Sequence, residues 1–264
     1  MLQQYVRRLH IRTRSFFRRV FYLVLGWLNL RRLKEHTFFG SLLPPTAIVA
    51  DFGAHRGEFF LALKSEYPVS RAVLVEANPA LAQTLKKRFG TDSDVVHAAV
   101  VGANNKDAVL FTRSTNPESS SIFEEWSAAY GIADQVNVPA IDLSSVIREL
   151  GGRVDLLKFD IEGAEIDILK EAPVSDLNSC GQLTVEFHER RPLLTRCDID
   201  DVCWRMRSQG YAIVKPNWPK VDDVLFVNLK SLSTMKRLEF RCRVALANAL
   251  FITRRRIFGS GNHL

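Results

Sequence analysis

The chain has 264 residues, 36 Lys and Arg against 29 Asp and Glu, a net charge of +7 and 47% hydrophobic residues. That apolar content supports a packed core and excludes an intrinsically disordered chain, and the length suits one sizeable domain with appendages. The four cysteines, Cys180, Cys197, Cys203 and Cys242, show neither C-x-x-C pairing nor zinc spacing, so reduced thiols in a cytoplasmic protein are expected.

Residues 1–45 read as a basic amphipathic extension. Residues 1–36 hold nine Lys/Arg against one Glu, with the pairs Arg7-Arg8, Arg18-Arg19 and Arg31-Arg32 set among Phe16, Phe17, Phe21, Tyr22 and Trp27. The apolar run Val20 to Leu30 is shorter than the ~20 residues a bilayer span requires, and no small-residue cleavage site follows it. Such a segment suits peripheral contact with an anionic membrane, on its inner face, or packing against the domain or another subunit. His10, His36 and His263 are expected to be solvated.

Residues 46–230 read as one α/β domain. Ala47 to Asp51 is a buried strand running into Phe52-Gly53-Ala54-His55-Arg56-Gly57 and then a helix over Glu58 to Tyr67. Strand, glycine turn and helix form a cofactor-loop pattern, although the spacing is G-x-x-x-G and not the dinucleotide G-x-G-x-x-G. The next strand, Ala72 to Glu76, ends in an acid suited to ribose hydroxyls. A helix over Pro79 to Phe89, a third strand over Val95 to Val101 and a short strand over Ala108 to Thr112 follow. The polar loop Ser114 to Ser121 reads as a solvated turn, with a substrate lid as the alternative. A helix over Asp142 to Leu150 is stopped by Gly151-Gly152.

Val154 to Glu165, VDLLKFDIEGAE, is the most informative stretch: a buried strand whose C-terminal end carries Asp160 and Glu162, with Glu165 opening a helix that lasts to Glu171. In an open α/β sheet ligands bind at that end, and burying carboxylates there requires a compensating partner. Lys158, inside the strand, is expected to pair with a carboxylate. Leu183 to Phe187 is a further strand, Asp198 to Gln209 a helix, and Tyr211 to Val214 with Asp223 to Asn228 a final pair joined through Pro216 to Asp222. Strands alternating with helices imply a mostly parallel sheet with an antiparallel strand at the end.

The combination of DFGAHRG, VEANP and DLLKFDIEGAE resembles the FkbM family of S-adenosylmethionine-dependent methyltransferases over roughly residues 46–228. The resemblance implies a Rossmann-like class I methyltransferase fold, a mostly parallel seven-stranded sheet with helices on both faces, and methyl transfer, usually to oxygen. By that resemblance Asp51, Gly53 and Gly57 frame the methionine part of the cofactor, with Ala54 in the same turn. Glu76 holds the ribose, Asn78 and Ala98, between His97 and Ala99, lie by the adenine, and Asp160 lies near the reacting methyl group. The family often has asparagine where this chain has His55.

A hydroxyl acceptor must lose its proton, so Asp160, Glu162 and His188 are the candidate catalytic residues, with His188 preferred because imidazole titrates near neutrality. A divalent metal on Asp160, Glu162, Glu186 and His188 is a minor reading, unsupported by any ligand spacing. Trp126, Trp204 and Trp218 read as packing residues, Trp218 being the one with a claim to acceptor contact. The stretch between the basic ends is net negative, which excludes a nucleic-acid substrate. The expected acceptor is a small-molecule or glycan hydroxyl: a sugar, glycan or glycolipid, or natural product. The alternative is a non-catalytic methyltransferase-like scaffold binding a membrane or protein partner. Residues 231–264 repeat the basic amphipathic pattern, with Phe240, Val244, Leu246, Leu250 and Phe251 beside Arg241, Arg243 and Arg254 to Arg256, and point to a C-terminal helix.

Overall fold

The computed structural model describes residues 23–102, 107–116, 119–128, 130–187, 195–216 and 223–258. His10, His188, Trp218, His263 and residues 1–22 of the N-terminal extension lie outside the described residues.

The elements, in chain order, are a short helix α1 (23–28), a hairpin of β1 (Leu30–Leu33) and β2 (His36–Phe39), β3 (Ala47–Phe52), α2 (Glu58–Glu66), β4 (Val69–Glu76), α3 (Pro79–Phe89), β5 (Asp94–His97), β6 (Ala99–Val101), β7 (Ala108–Ser114), α4 (Glu124–Ala128), β8 (Ile132–Asp142), α5 (Leu143–Glu149), β9 (Val154–Phe159), α6 (Glu165–Glu171), α7 (Val174–Ser179), β10 (Cys180–Glu186), α8 (Arg196–Ser208), β11 (Tyr211–Val214), β12 (Asp223–Asn228) and α9 (Thr234–Phe258). The main sheet has seven strands in the order β11-β12-β10-β9-β3-β4-β5. β5, β4, β3, β9 and β10 are parallel, and β12 runs antiparallel to both of its neighbours. This is the class I methyltransferase arrangement expected from the sequence. The central strands β3 and β9 are almost wholly buried, with a helical layer on each face. They carry near-continuous apolar runs because both sides of a parallel sheet are covered.

Two of the differences from expectation bear on the cavity. The third strand breaks at Ala98, so β5 stays beside β4 while β6 leaves to join a second sheet, β6-β8-β7. β8 has no counterpart in the sequence reading. Its residues are mostly exposed and it holds Pro139, so no buried apolar run marks it; pairing with β7 and β6 creates it.

The β1–β2 hairpin is the second difference. Its turn is made by Lys34 and Glu35, both at positive φ (46° and 73°), positions that hairpins ordinarily give to Asn and Gly. β2 is completely buried, so His36, expected to be solvated, is 2% exposed. Gln182 on β10 clamps β2: it accepts from the Phe39 N–H at 2.8 Å and donates to the Phe39 carbonyl at 3.1 Å. Thr37 Oγ1 donates to Asp223 Oδ2 at 2.7 Å.

α9 lies against the same face. Its stripe of Phe240, Val244, Ala247 and Phe251 is buried in the core that also holds Phe38, Phe39 and Leu225. Phe39 and Phe240 meet edge to face with ring centres 5.4 Å apart. Asn248 fastens the helix to β11, accepting from Lys215 N–H at 3.1 Å and donating to the Ile213 carbonyl at 2.8 Å. Most of the apolar stripe expected to face lipid is therefore consumed inside the protein. Among the described residues no helix is long and apolar enough to cross a membrane. Trp204, expected to pack, is 71% exposed.

Replacing Gln182 with Leu orphans two buried backbone groups of Phe39. The variant should lose about 2–4 kcal/mol of stability, read as a lowered midpoint in urea unfolding followed by circular dichroism.

Candidate active site

The parallel strands β3, β4, β9 and β10 all point their C-terminal ends at one cavity of about 690 Å³, within the size range of small-molecule sites. One side is built by the turn after β3. Gly53 and Ala54 both donate backbone N–H to the Val75 carbonyl, at 3.0 and 3.1 Å, closing the turn over β4. Gly53 has φ of +73°, and a Cβ there would stand 1.7 Å from the Asp160 carbonyl oxygen. Only glycine lets these two strand ends come so close.

Glu76, at the end of β4, is 7% exposed and lines the cavity. It accepts from the His55 N–H and the Asn78 N–H, each at 2.8 Å. Burial pushes its carboxyl up, against the pull of those two N–H groups. His55 itself sits at φ +50°, the left-handed region that asparagine tolerates better than most residues. That conformation gives a physical reason for the asparagine the family often has there. Ala98, at the break between β5 and β6, forms another small patch of wall.

Asp51, Gly57 and Asn78 sit behind the wall, not in it. Asp51 is fully buried 3.1 Å from Lys158 Nζ, as expected of that lysine. Gly57 admits the ring of Phe89, which a Cβ would approach to 2.3 Å. Asn78 caps α3, its side chain accepting from Ala80 and Leu81 N–H at 3.1 and 3.5 Å. All three, expected beside the cofactor, touch residues around the cavity and do not line it.

The opposite rim is acidic. Lys158 donates to the Gly53 carbonyl at 2.9 Å and the Phe52 carbonyl at 3.3 Å, and lies 3.5 Å from Asp160 Oδ2. Burial alone would discharge it, but Asp51 and Asp160 outweigh that and hold it protonated. Glu186, at the end of β10, is pushed up to about 8 by burial and by the charges of Asp160 and Glu35. Glu162 adopts φ +60°, and its carbonyl accepts from Ser121 Oγ at 2.7 Å. The loop expected as turn or lid contributes Asn116, Ser119 and Ser120 to the cavity wall.

Of the expected catalytic groups, Asp160 and Glu162 face the cavity. His188 lies outside the described residues. The structure adds His36, Glu35 and Glu186. His36 stands with Nε2 3.6 Å from Asp160 Oδ2. No periodicity in the sequence marks it, because the hairpin that delivers it has no turn signature.

Glu165 is a second buried acid, raised to about 7 by burial despite N–H bonds from Ile161 (2.9 Å) and Gly163 (3.0 Å). A carboxyl with a folded pKa above its unfolded value stabilises fully below the unfolded value, and that contribution is lost as pH rises through 7. Wild type should thus lose about 3 kcal/mol relative to Glu165→Gln between pH 4.5 and 8, read from paired urea titrations. At position 55, Asn should preserve stability and cofactor affinity. Val should cost about 1–3 kcal/mol, measured in the same way, because a β-branched residue resists positive φ.

The description Methyltransferase FkbM domain matches residues 51–213, more than half of the chain. The AMB antimetabolite synthetase AmbE of Pseudomonas aeruginosa is 26% identical over 209 residues, covering 66% of this chain and 10% of that protein. Methyltransferase 1 of Beauveria bassiana is 24% identical over 200 residues, covering 68% of this chain and 78% of that protein. The crystal structure of methyltransferase FkbM from Methylobacillus flagellatus KT aligns with a TM-score of 0.46 and 18% identity, over 72% of this chain and 46% of that one. This chain thus spans a tenth of the Pseudomonas protein and under half of the Methylobacillus one. With a match over more than half of its length, the chain belongs to the FkbM family of S-adenosylmethionine-dependent methyltransferases.

Proposed function

We propose that the protein transfers a methyl group to a hydroxyl of a small-molecule or glycan acceptor. The observation that carries this reading is the acidic rim of Asp160, Glu162 and Glu186, set across one cavity from the glycine turn and Glu76. The turn is a fitting cradle for the cofactor: Gly53 and Ala54 expose backbone and little side chain, Glu76 offers its remaining lone pairs to ribose, and Ala98 leaves room for a flat base. When bound, S-adenosylmethionine supplies a methyl on a sulfonium; the acceptor oxygen gains the carbon, the sulfur keeps the bonding electron pair, and the acceptor proton goes to a rim carboxylate.

The chain's own residues hold the two partners in line, which is the larger part of the acceleration, and a positioned base adds roughly 10²–10⁴-fold. Lys158 fixes Asp160 without neutralising the whole rim, since Asp51 shares the same ammonium. An acidic rim repels phosphate and suits an uncharged or cationic acceptor. The antimetabolite synthetase among the relatives supports a biosynthetic small molecule as that acceptor.

The test is calorimetric titration with S-adenosylmethionine, followed by mass spectrometry of sugars, glycolipids and natural-product hydroxyls incubated with enzyme and cofactor. Wild type should bind the cofactor and place the methyl on oxygen. Glu76→Gln should weaken binding by about 10- to 100-fold with the fold intact by circular dichroism. A wild type that binds no cofactor, or a product methylated on nitrogen or carbon, overturns the reading.

A further inference from the structure

The β1–β2 hairpin brings a histidine to the acidic rim. One ligand atom each from His36, Asp160 and Glu186 lies within 4.8 Å of the others. Donor atoms on opposite sides of an ion with bonds of about 2.1–2.4 Å are about 4.2–4.8 Å apart, so the three can share one cation. His36 is 2% exposed and packs edge to face on Phe59, with ring centres 5.4 Å apart, which fixes its orientation. Its Nδ1 is buried with no hydrogen-bond partner, and its Nε2 is 3.6 Å from Asp160, longer than a hydrogen bond. Nε2, the nitrogen on the Asp160 side, is the one that a cation between the two side chains would take.

Lys158 does not fill this role. An ammonium has three protons, and Asp51 (3.1 Å), the Gly53 carbonyl (2.9 Å) and the Phe52 carbonyl (3.3 Å) all stand closer to it than Asp160 does. Lys158 thus reaches Asp160 from the Asp51 side, while His36, Asp160 and Glu186 all line the cavity.

We infer that His36, Asp160 and Glu186 bind a divalent first-row cation whose open positions face the acceptor. One imidazole with two carboxylates is a donor set that takes Mn²⁺, Fe²⁺ or Zn²⁺ in preference to Ca²⁺. Three protein ligands leave room for two neighbouring acceptor oxygens, so the substrate class is a vicinal diol or hydroxy-carbonyl compound. The ion would orient that pair and ease loss of the proton from the oxygen to be methylated. The acceptor role rests on the methyl-transfer reading; the binding itself does not.

The experiment is titration of the full-length, chelator-treated protein with Mn²⁺ alone, by calorimetry and pulsed electron paramagnetic resonance. One equivalent should bind, with imidazole-nitrogen modulation in the spectrum. His36→Gln and Glu186→Gln should each bind at least about tenfold more weakly, and His36→Gln should lose the nitrogen signal while circular dichroism shows it folded. No binding by wild type, or a nitrogen signal that survives in folded His36→Gln, overturns the site. A parallel titration of the same wild-type sample with S-adenosylmethionine keeps failure of the cation site distinct from failure of the methyl-transfer reading.

Discussion

The ammonium of Lys158 is buried at the meeting point of β3 and β9, where it ties Asp51, Asp160 and the carbonyls of Phe52 and Gly53 together. A charge taken that far from water is tolerable only with such a full set of partners, and removing one partner from a buried pair of this kind typically costs about 3–5 kcal/mol. The pairing therefore constrains much else. It holds the turn after β3 against the strand end after β9. That closeness excludes any side chain at position 53, since the Asp160 carbonyl occupies the place of a Cβ. It also fixes the orientation of Asp160 at the rim.

The two halves of the cavity are stabilised by different physics. On the side of the glycine turn the groups are mostly backbone: N–H donors closing on Val75, and Glu76 accepting from His55 and Asn78. Such a frame depends little on side-chain identity beyond the glycines and the acid. On the acidic side the groups are ionisable side chains from separate strands, and their charges raise one another's cost. Electrostatic strain of this sort is the usual mark of a site arranged for chemistry and not for stability.

The parallel core was legible because β3, β4, β9 and β10 are covered on both faces and so carry mainly apolar runs with an acid or a turn at the end. Asp51, Glu76 and Asp160 could be assigned to strand ends, and Lys158 to the strand interior, for the same reason. β8 was not legible, since most of its residues are exposed, its inward face is only Val136, Val138 and Ala140, and Pro139 interrupts it. The hairpin was hidden by Lys34 and Glu35 occupying left-handed backbone that normally signals itself with Asn or Gly. The amphipathic stripe of α9 was visible, but periodicity reports that a face is apolar and not what covers it; here the cover is the sheet. His36 was placed among solvated residues because its partners, Asp160 and Glu186, are distant in sequence and meet it only through the folded hairpin.

The match to the family begins at residue 51, yet the hairpin that closes one side of the cavity ends at Phe39. The matched stretch thus packs against segments on both sides of it. A chain cut at residue 46 would keep every matched position and still leave Gln182 without its clamp partner and Phe240 with one ring face open to water. Its cavity would lack the Lys34–His36 wall, becoming a half-open trough. The matched stretch thus holds both the glycine turn and the acidic residues across from it, while the hairpin that adds His36 beside Asp160 and Glu186 lies before it.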